Sequence, residues 1–233
     1  MARVWIGTSG FSYKEWKGTF YPPELADREM LRYYGTRFRS VEIDSTFYRM
    51  PTTKSLEGWR DASPEDFRFA IKAPQQITHR ERLKVPSEAL AHLTHTVPLL
   101  GQKLGLLFFQ LPPFSRCDVA RLEAFLNALP AGVPFAFEFR HESWFVPEVF
   151  RLLRERSAAL CIHDADEGCS PLEITAPMVY VRLRRAFYMR EAREQWRQRF
   201  REWSDSGLDV FAYIKHKDNP DAPRIALEFA EGL

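Results

Sequence analysis

The chain has 233 residues and a mass of 27.3 kDa, with 45% hydrophobic and 27% charged residues, ordinary globular usage that excludes a disordered or collagen-like chain. The formal net charge of +2 does not by itself imply nucleic acid, and no apolar run approaches the roughly 18 residues that span a bilayer. Three cysteines (Cys117, Cys161, Cys169) without CxxC spacing speak against a disulfide framework, and the start, MARVWIGTSG, lacks the apolar stretch of a signal peptide, so a cytoplasmic protein with no membrane partner is expected.

In chain order, apolar runs predict strands over Arg3–Gly7, Ser40–Ile43, Phe67–Lys72, Leu104–Gln110, Phe135–Phe139, Ala158–His163, Met178–Arg182 and Asp209–Ile214. Amphipathic stretches between them predict helices over Glu24–Phe38 (after Pro22 and Pro23), Thr52–Ala62, Ser87–Leu100, Asp118–Leu129, Pro147–Arg156, Arg190–Ser204 and Asp221–Glu231. Proline is well tolerated at a helix start and Ser87 suits an N-cap. Between His163 and Met178 the segment DADEGCSPLEITAP has no helical period. Eight strands alternating with helices over residues 1–233 predict a single α/β domain, a TIM-barrel-like closed parallel (β/α)8 barrel with an irregular sixth βα unit. A doubly wound open sheet is the other fold with this alternation. No GxGxxG or P-loop pattern supports it.

Barrel strands point side chains alternately to the helices and to the axis. Phe135, Phe137 and Phe139 share one face, and Ala136, Glu138 and Arg140 the other. Val41 and Ile43 oppose Glu42 and Asp44; Phe69 and Ile71 oppose Arg68 and Lys72; Val179 and Val181 oppose Tyr180 and Arg182; Val210 and Ala212 oppose Phe211 and Tyr213. The apolar faces must pack on helices, so acids and bases face inward. Buried charge costs several kcal/mol unless it is paired. A structural network such as Glu42 with Lys72 and Glu138 with Arg182 would supply pairing. A functional site at the C-terminal strand ends would use the same charges.

The runs IGTSGFSYKEWKGTFYP at 6–22, VEIDSTFYRMP at 41–51, FRFAIKAPQQITH at 67–79, LGLLFFQLPPF at 104–114 and FEFRHESWF at 137–145 resemble the YecE-like family, catalogued as domain of unknown function 72. The resemblance covers nearly the whole chain and implies a TIM-barrel-like fold with a site at the strand ends; it assigns no reaction. Two positions depart from the family pattern. Asp44 stands where VEINSTFY carries an amide, and Arg184 and Arg185 stand where VRLHG carries histidine and glycine.

Glu42 and Glu138 are the expected acid and base, with Asp44 and Lys72 completing the catalytic set, because paired carboxylates in different surroundings divide such roles. Glu42, Asp44, His79, Glu138, His141, His163, Asp164 and His216 lie at or beyond strand ends, as the ligands of divalent-metal barrels do, although Lys72, Arg140, Arg182 and Lys215 would repel a cation. Arg184, Arg185 and Arg190, then Lys215, His216 and Lys217, follow the last two strands, where barrels frequently bind phosphate. In the long aromatic loop after the first strand, Tyr13 and Trp16 are expected to face ligand; a small satellite core would also account for those rings. Substrate binding is thus expected at Tyr13, Trp16, His79, Arg140, His163, Arg182, Arg184, Tyr213 and Lys215. An arginine stripe (Arg190, Arg193, Arg197, Arg201) reads as a wet helix face diluted by Glu191 and Glu194. No cofactor is expected, with a divalent metal as the alternative. The expected function is an enzyme using acid/base chemistry on a small anionic, phosphate- or carboxylate-bearing ligand. The alternatives are a metal-assisted phosphodiesterase or nuclease and a non-catalytic nucleotide- or oligonucleotide-binding barrel.

Overall fold

The structure, a computed structural model, describes residues 2–215 and 221–233. The elements in order are β1 (Val4–Ser9), α1 (Met30–Arg37), β2 (Ser40–Ile43), α2 (Thr53–Ala62), β3 (Arg68–Lys72), α3 (Glu88–Thr96), β4 (Leu104–Gln110), α4 (Val119–Ala128), β5 (Phe135–Glu138), α5 (Pro147–Glu155), β6 (Ala159–Ala165), β7 (Gly168–Cys169), β8 (Met178–Leu183), α6 (Arg190–Asp205), β9 (Asp209–Lys215) and α7 (Ala222–Ala230). Strands β5, β4, β3, β2, β1, β9, β8 and β6 are neighbours in that order, and a further β5–β6 pairing closes the ring. Every pairing in the ring is parallel. The fold is therefore a closed eight-stranded α/β barrel, TIM-barrel-like, as the alternation predicts. Among the described residues no helix is long and apolar enough to cross a membrane.

The local chemistry explains most boundaries. Thr52 and Ser55 form a reciprocal capping box at the start of α2, and the Ser87 and Asp118 side chains accept the Leu90 and Arg121 amides as N-caps of α3 and α4. The helix expected over Glu24–Phe38 is shorter. Its regular part begins at Met30 after a single 3-10 turn, Asp27–Glu29. The helix expected over Ser87–Leu100 ends at Thr96, and a 3-10 segment containing Pro98, which lacks a backbone donor, carries the chain onward. In the sixth unit β6 turns back into the two-residue antiparallel β7, and no helix precedes β8. Thr175 fastens this strap to the barrel: its hydroxyl donates to Ala158 O and accepts from Leu160 N, each at 2.7 Å.

The period of two holds around the ring. Phe69, Phe137, Val181 and Ala212 pack with the helices, while Trp5, Phe108, Tyr180, Phe211 and Tyr213 fill the axis. Trp5 stacks on Phe211 at the N-terminal end, with centroids 4.6 Å apart. Tyr180 packs between Phe108 and Tyr213 in the middle, at 4.9 and 5.5 Å. The layer above is ionic. Arg182 Nη2 donates to Glu42 Oε1 at 2.9 Å and Arg182 Nη1 to Glu138 Oε2 at 2.7 Å and Gln110 Oε1 at 3.2 Å. Ser9 Oγ donates to Glu42 Oε1 at 2.6 Å, and the Tyr180 hydroxyl donates to Glu42 Oε2. Burial opposes ionisation of both carboxyls, but the Arg182 charge and these hydrogen bonds outweigh it for Glu42. Arg182, Arg140 and Arg184 do so more strongly for Glu138, so Glu42 lies below and Glu138 well below the usual carboxylate range.

Two substitutions test this frame. A Cβ on Gly7 would sit 2.1 Å from Ser40 O, where β1 passes β2, so Gly7→Ala is expected to lose stability at the upper end of about 1–3 kcal/mol in urea unfolding. Arg182→Met leaves two wholly buried carboxylates without their shared cation and is expected to cost about 3–5 kcal/mol at pH 7. In that variant Glu42 keeps only the Ser9 and Tyr180 hydrogen bonds and the Lys72 charge against burial, which raises its folded pKa above the unfolded one, while Glu138 retains Arg140 and Arg184. Its stability should therefore recover as pH falls from 8 to 5, the opposite of the wild type, whose depressed carboxyls lose their contribution in acid. Equal urea midpoints for Arg182→Met and wild type across that range would show that the bridge does not hold the barrel.

Candidate functional site

The C-terminal end of the barrel opens into a cavity of about 580 Å3 lined by Tyr13, Glu15, Asp44, Phe47, Tyr48, Lys72, Gln110, Arg140, Arg182, Arg184 and Lys215. Three strands deliver their last residue to this mouth: Lys72 ends β3, Gln110 ends β4 and Lys215 ends β9. The turn after β2 shapes one wall. The Thr46 hydroxyl lies 2.6 Å from Lys72 O and 2.9 Å from Ile43 O, which ties the β2 turn to β3 and sets Asp44 near Lys72. Phe47 from the same turn lies 4.3 Å from Lys72 Nζ, ring face toward the ammonium.

Seven of the expected residues come together here: Tyr13, Asp44, Lys72, Arg140, Arg182, Arg184 and Lys215. Burial and the Glu42 charge push the Asp44 carboxyl up. Burial and the neighbouring Arg182 charge push the Lys72 ammonium down to about 8. Among the described residues no carboxylate stands within ion-pair distance of Lys72. Burial and Arg182 also lower Arg184, to about 10, which leaves it charged at neutral pH. Burial, then the Asp44 and Glu42 charges, hold the Tyr13 phenol well above its ordinary value, so it remains a donor.

Charge is unevenly matched. Glu138 meets three guanidiniums, Arg140 at 2.6 Å, Arg182 at 2.7 Å and Arg184 at 3.8 Å. The cations Lys72, Arg140, Arg182, Arg184 and Lys215 face the carboxyls Glu42, Asp44 and Glu138, with Glu15 exposed at the rim. Among the described residues the mouth is thus cationic even with each of these acids ionised.

Several expectations need correction. Glu42 and Glu138 are fully buried beneath the cavity and share Arg182; a carboxylate held this firmly in its ionised form is a poor proton carrier at neutral pH. Glu42 pairs with Arg182, not with Lys72. Trp16 is 0% exposed and packs on Tyr13, Phe20 and Tyr21 at 4.8–6.0 Å, so it pins the loop and does not face ligand. Tyr213 is also 0% exposed; its hydroxyl lies 2.6 Å from Ser40 Oγ, below the charged layer. His79 and His163 flank the cavity without lining it. His79 packs on Phe47 at 4.9 Å, and His163 Nδ1 is buried without a hydrogen-bond partner. For both, burial lowers the imidazole pKa.

Arg185 turns away from the mouth and grips Asp164 Oδ1 with Nε and Nη2 at 2.9 and 2.7 Å, while Trp196 Nε1 donates to Asp164 Oδ2 at 3.1 Å. This clamp fixes the loop that carries Arg184. The His141 ring accepts the Ser143 amide within its own turn. Arg193, Arg197 and Arg201 pair with Glu228 and Glu194, so the arginine stripe is a salt-bridged helix face, part of it holding α7. His216 and Lys217 lie outside the described residues. Among the described residues no three His, Cys, Asp or Glu side chains group as metal ligands would. Gln110, Phe47 and Tyr48 line the site unanticipated; the last two lie in the VEIDSTFYRMP run, whose turn after β2 could have flagged them.

Relatives agree with this architecture. A DUF72 family protein of Thermotoga maritima superposes with a TM-score of 0.87 at 28% identity, covering 98% of each chain. A DUF72 family protein of Enterococcus faecalis gives 0.79 at 20% identity, over 99% of this chain and 97% of that one, a likeness of fold. The UPF0759 protein YunF of Bacillus subtilis is 31% identical over 156 residues, 63% of this chain and 54% of that protein. The UPF0759 protein YecE of Escherichia coli K12 is 29% identical over 143 residues, 61% and 50%. The matches thus span about half the length of these curated relatives. The pattern of the family described as "Protein of unknown function DUF72" runs through residues 5–233, and the chain belongs to that family.

Proposed function

We propose that the chain is an enzyme that performs acid/base chemistry on a small phosphate- or carboxylate-bearing substrate at the barrel mouth. The observation that carries this reading is Lys72: a buried ammonium, beside Arg182 and Asp44, with no carboxylate in ion-pair reach among the described residues and a pKa pushed down to about 8. A purely structural lysine in that layer would be paired. A group that titrates close to neutrality next to an acid shifted the other way is the arrangement proton transfer needs. In this reading Lys72 and Asp44 each exchange a proton with the substrate bound between them, one as acid and the other as base, and Arg140 and Arg184, which share one carboxylate with Arg182, grip the anion. Tyr13 donates a hydrogen bond, and Phe47 and Tyr48 form the apolar wall. The Glu42–Arg182–Glu138 bridge is the rigid base on which these groups stand.

A metal-assisted phosphodiesterase has less support, since the cations that favour an anion also repel a metal ion. A non-catalytic nucleotide-binding barrel would use the same arginines and differs in having no role for the shifted pair.

Inorganic phosphate titrated by calorimetry is expected to bind at pH 7 and to weaken severalfold by pH 9.5. The sign follows from Lys72: protonated below about 8 it attracts the anion, and above about 8 that charge is lost. Lys72→Met should bind weakly at both pH values, with the slope near 8 gone. A panel of phosphate monoesters and hydroxy acids should show turnover that falls about 100-fold or more in Asp44→Asn. Phosphate binding without turnover on any of them would favour the binding barrel. No phosphate binding at millimolar concentration would overturn both.

A further inference from the structure

The opposite end of the barrel holds a second cavity, of about 750 Å3, inside the range of about 300–1,000 Å3 usual for small-molecule sites. Its floor is the first inward layer of the barrel. Trp5 and Phe211 lie nearly parallel there, 10° apart, with Met178 and Phe135 beside them. Leu129, from the end of α4, stands in the wall. Gly105 leaves room for this floor: a Cβ there would come within 3.1 Å of Phe211 Cε1 and 3.2 Å of Phe69 O.

The rim is cationic in a specific way. The Arg68 guanidinium lies 5.9 Å from the Trp5 ring centroid and makes one hydrogen bond, from Nη1 to Phe67 O. Arg156 donates to Asn127 Oδ1. Among the described residues neither arginine has a carboxylate within ion-pair distance. The two acids on this rim are engaged elsewhere: Glu155 pairs with Arg151 at 2.6 Å, and Asp209 Oδ1 accepts the Arg3 amide at 3.0 Å. A barrel end that served stability alone would be closed by branched aliphatic side chains. This one is floored by a largely buried aromatic pair under two arginines that, among the described residues, have no carboxylate within ion-pair distance.

We propose that the N-terminal end of the barrel is a second small-molecule site, separate from the mouth, that takes a planar aromatic or heteroaromatic ring bearing a carboxylate or comparable acidic group. The ring lies against the Trp5–Phe211 stack in offset geometry. The acid reaches the free donors of Arg68, with Arg156 across the rim, in the forked arrangement that guanidinium favours. A neutral ring forfeits the charge pairing, and an aliphatic acid forfeits the stacking.

The probe is 2-naphthoate, titrated into the whole chain by calorimetry with tryptophan fluorescence as a second readout. Neutral 2-naphthamide and aliphatic cyclohexanecarboxylate serve as comparisons. Saturable one-site binding is expected, with naphthoate at least fivefold tighter than either comparison. Arg68→Gln should remove most of the preference for naphthoate over naphthamide, and Leu129→Trp should block the cavity at unchanged circular dichroism. Lys72→Met, which weakens phosphate at the mouth, should leave naphthoate binding as it is, so the two sites fail or survive separately. Absence of saturable binding at millimolar naphthoate, indifference to both Arg68→Gln and Leu129→Trp, or loss in Lys72→Met would each overturn the proposal. So would a sedimenting dimer that Leu129→Trp dissociates and naphthoate does not touch, since the occupant would then be a second copy of the chain.

Discussion

Arg182 cross-braces the barrel. Its two terminal nitrogens bind carboxylates that enter from β2 and β5, while its own backbone belongs to β8, so one guanidinium ties three strands spaced around the ring. Each acid is fully buried, and Glu42 in particular would be poorly tolerated ionised without the cation. The bridge is therefore a constraint on sequence: losing Arg182 removes the only guanidinium that Glu42 has among the described residues and the shared cation of Glu138. Ser9, Gln110 and Tyr180 occupy further lone pairs and donors of the same network, which draws β1 and β4 into the brace as well.

The chemistry of the mouth follows from that brace. With Glu42 and Glu138 committed to Arg182, Lys72 sits near a guanidinium with no acid within ion-pair distance, and its pKa falls. Asp44 lies beside the Glu42 charge, and its pKa rises. Opposite shifts in adjacent groups thus arise without any group being tuned separately. Burial contributes most to both, and the bridge adds its positive end beside Lys72 and its negative end beside Asp44. Arg140 and Arg184 complete the asymmetry, because Glu138 divides its two oxygens among three guanidiniums.

What could be read from the residues alone divides along the same physical line. Alternation of strands and helices and the side-chain period of two are local properties, so the barrel, the missing sixth helix and the inward direction of Glu42, Lys72, Glu138 and Arg182 were all legible. Depth along the axis was not. Tyr213 shares a face with Lys215, yet lies beneath the charged layer, because only ring closure and stagger determine which inward residue ends up at the surface. Pairing was legible for Glu138 with Arg182 but not for Glu42: Glu42 and Lys72 stand on neighbouring strands, but this acid finds its partner across the barrel. Trp16 and Arg185 failed on loop geometry. An aromatic loop that builds its own satellite core looks identical in sequence to one that offers its rings to a ligand, and adjacent arginines in an extended loop point to opposite sides.

The brace also divides the molecule into two chemically independent ends. Strand β1 supplies Trp5 to one end and Ser9 to the other, β8 supplies Met178 and Arg182, and β9 supplies Phe211 and Lys215. Between the ends lies a layer formed by Phe108, Tyr180 and Tyr213, all fully buried. The hydroxyls of that layer are engaged, Tyr180 with Glu42 and Tyr213 with Ser40, so it offers no free polar path for water or a proton between the aromatic floor and the ionic mouth. Proton movements at the mouth are correspondingly confined to the mouth. Any influence of one end on the other has to pass as a small displacement of whole strands, and a close-packed interior bridged by Arg182 resists that kind of displacement most.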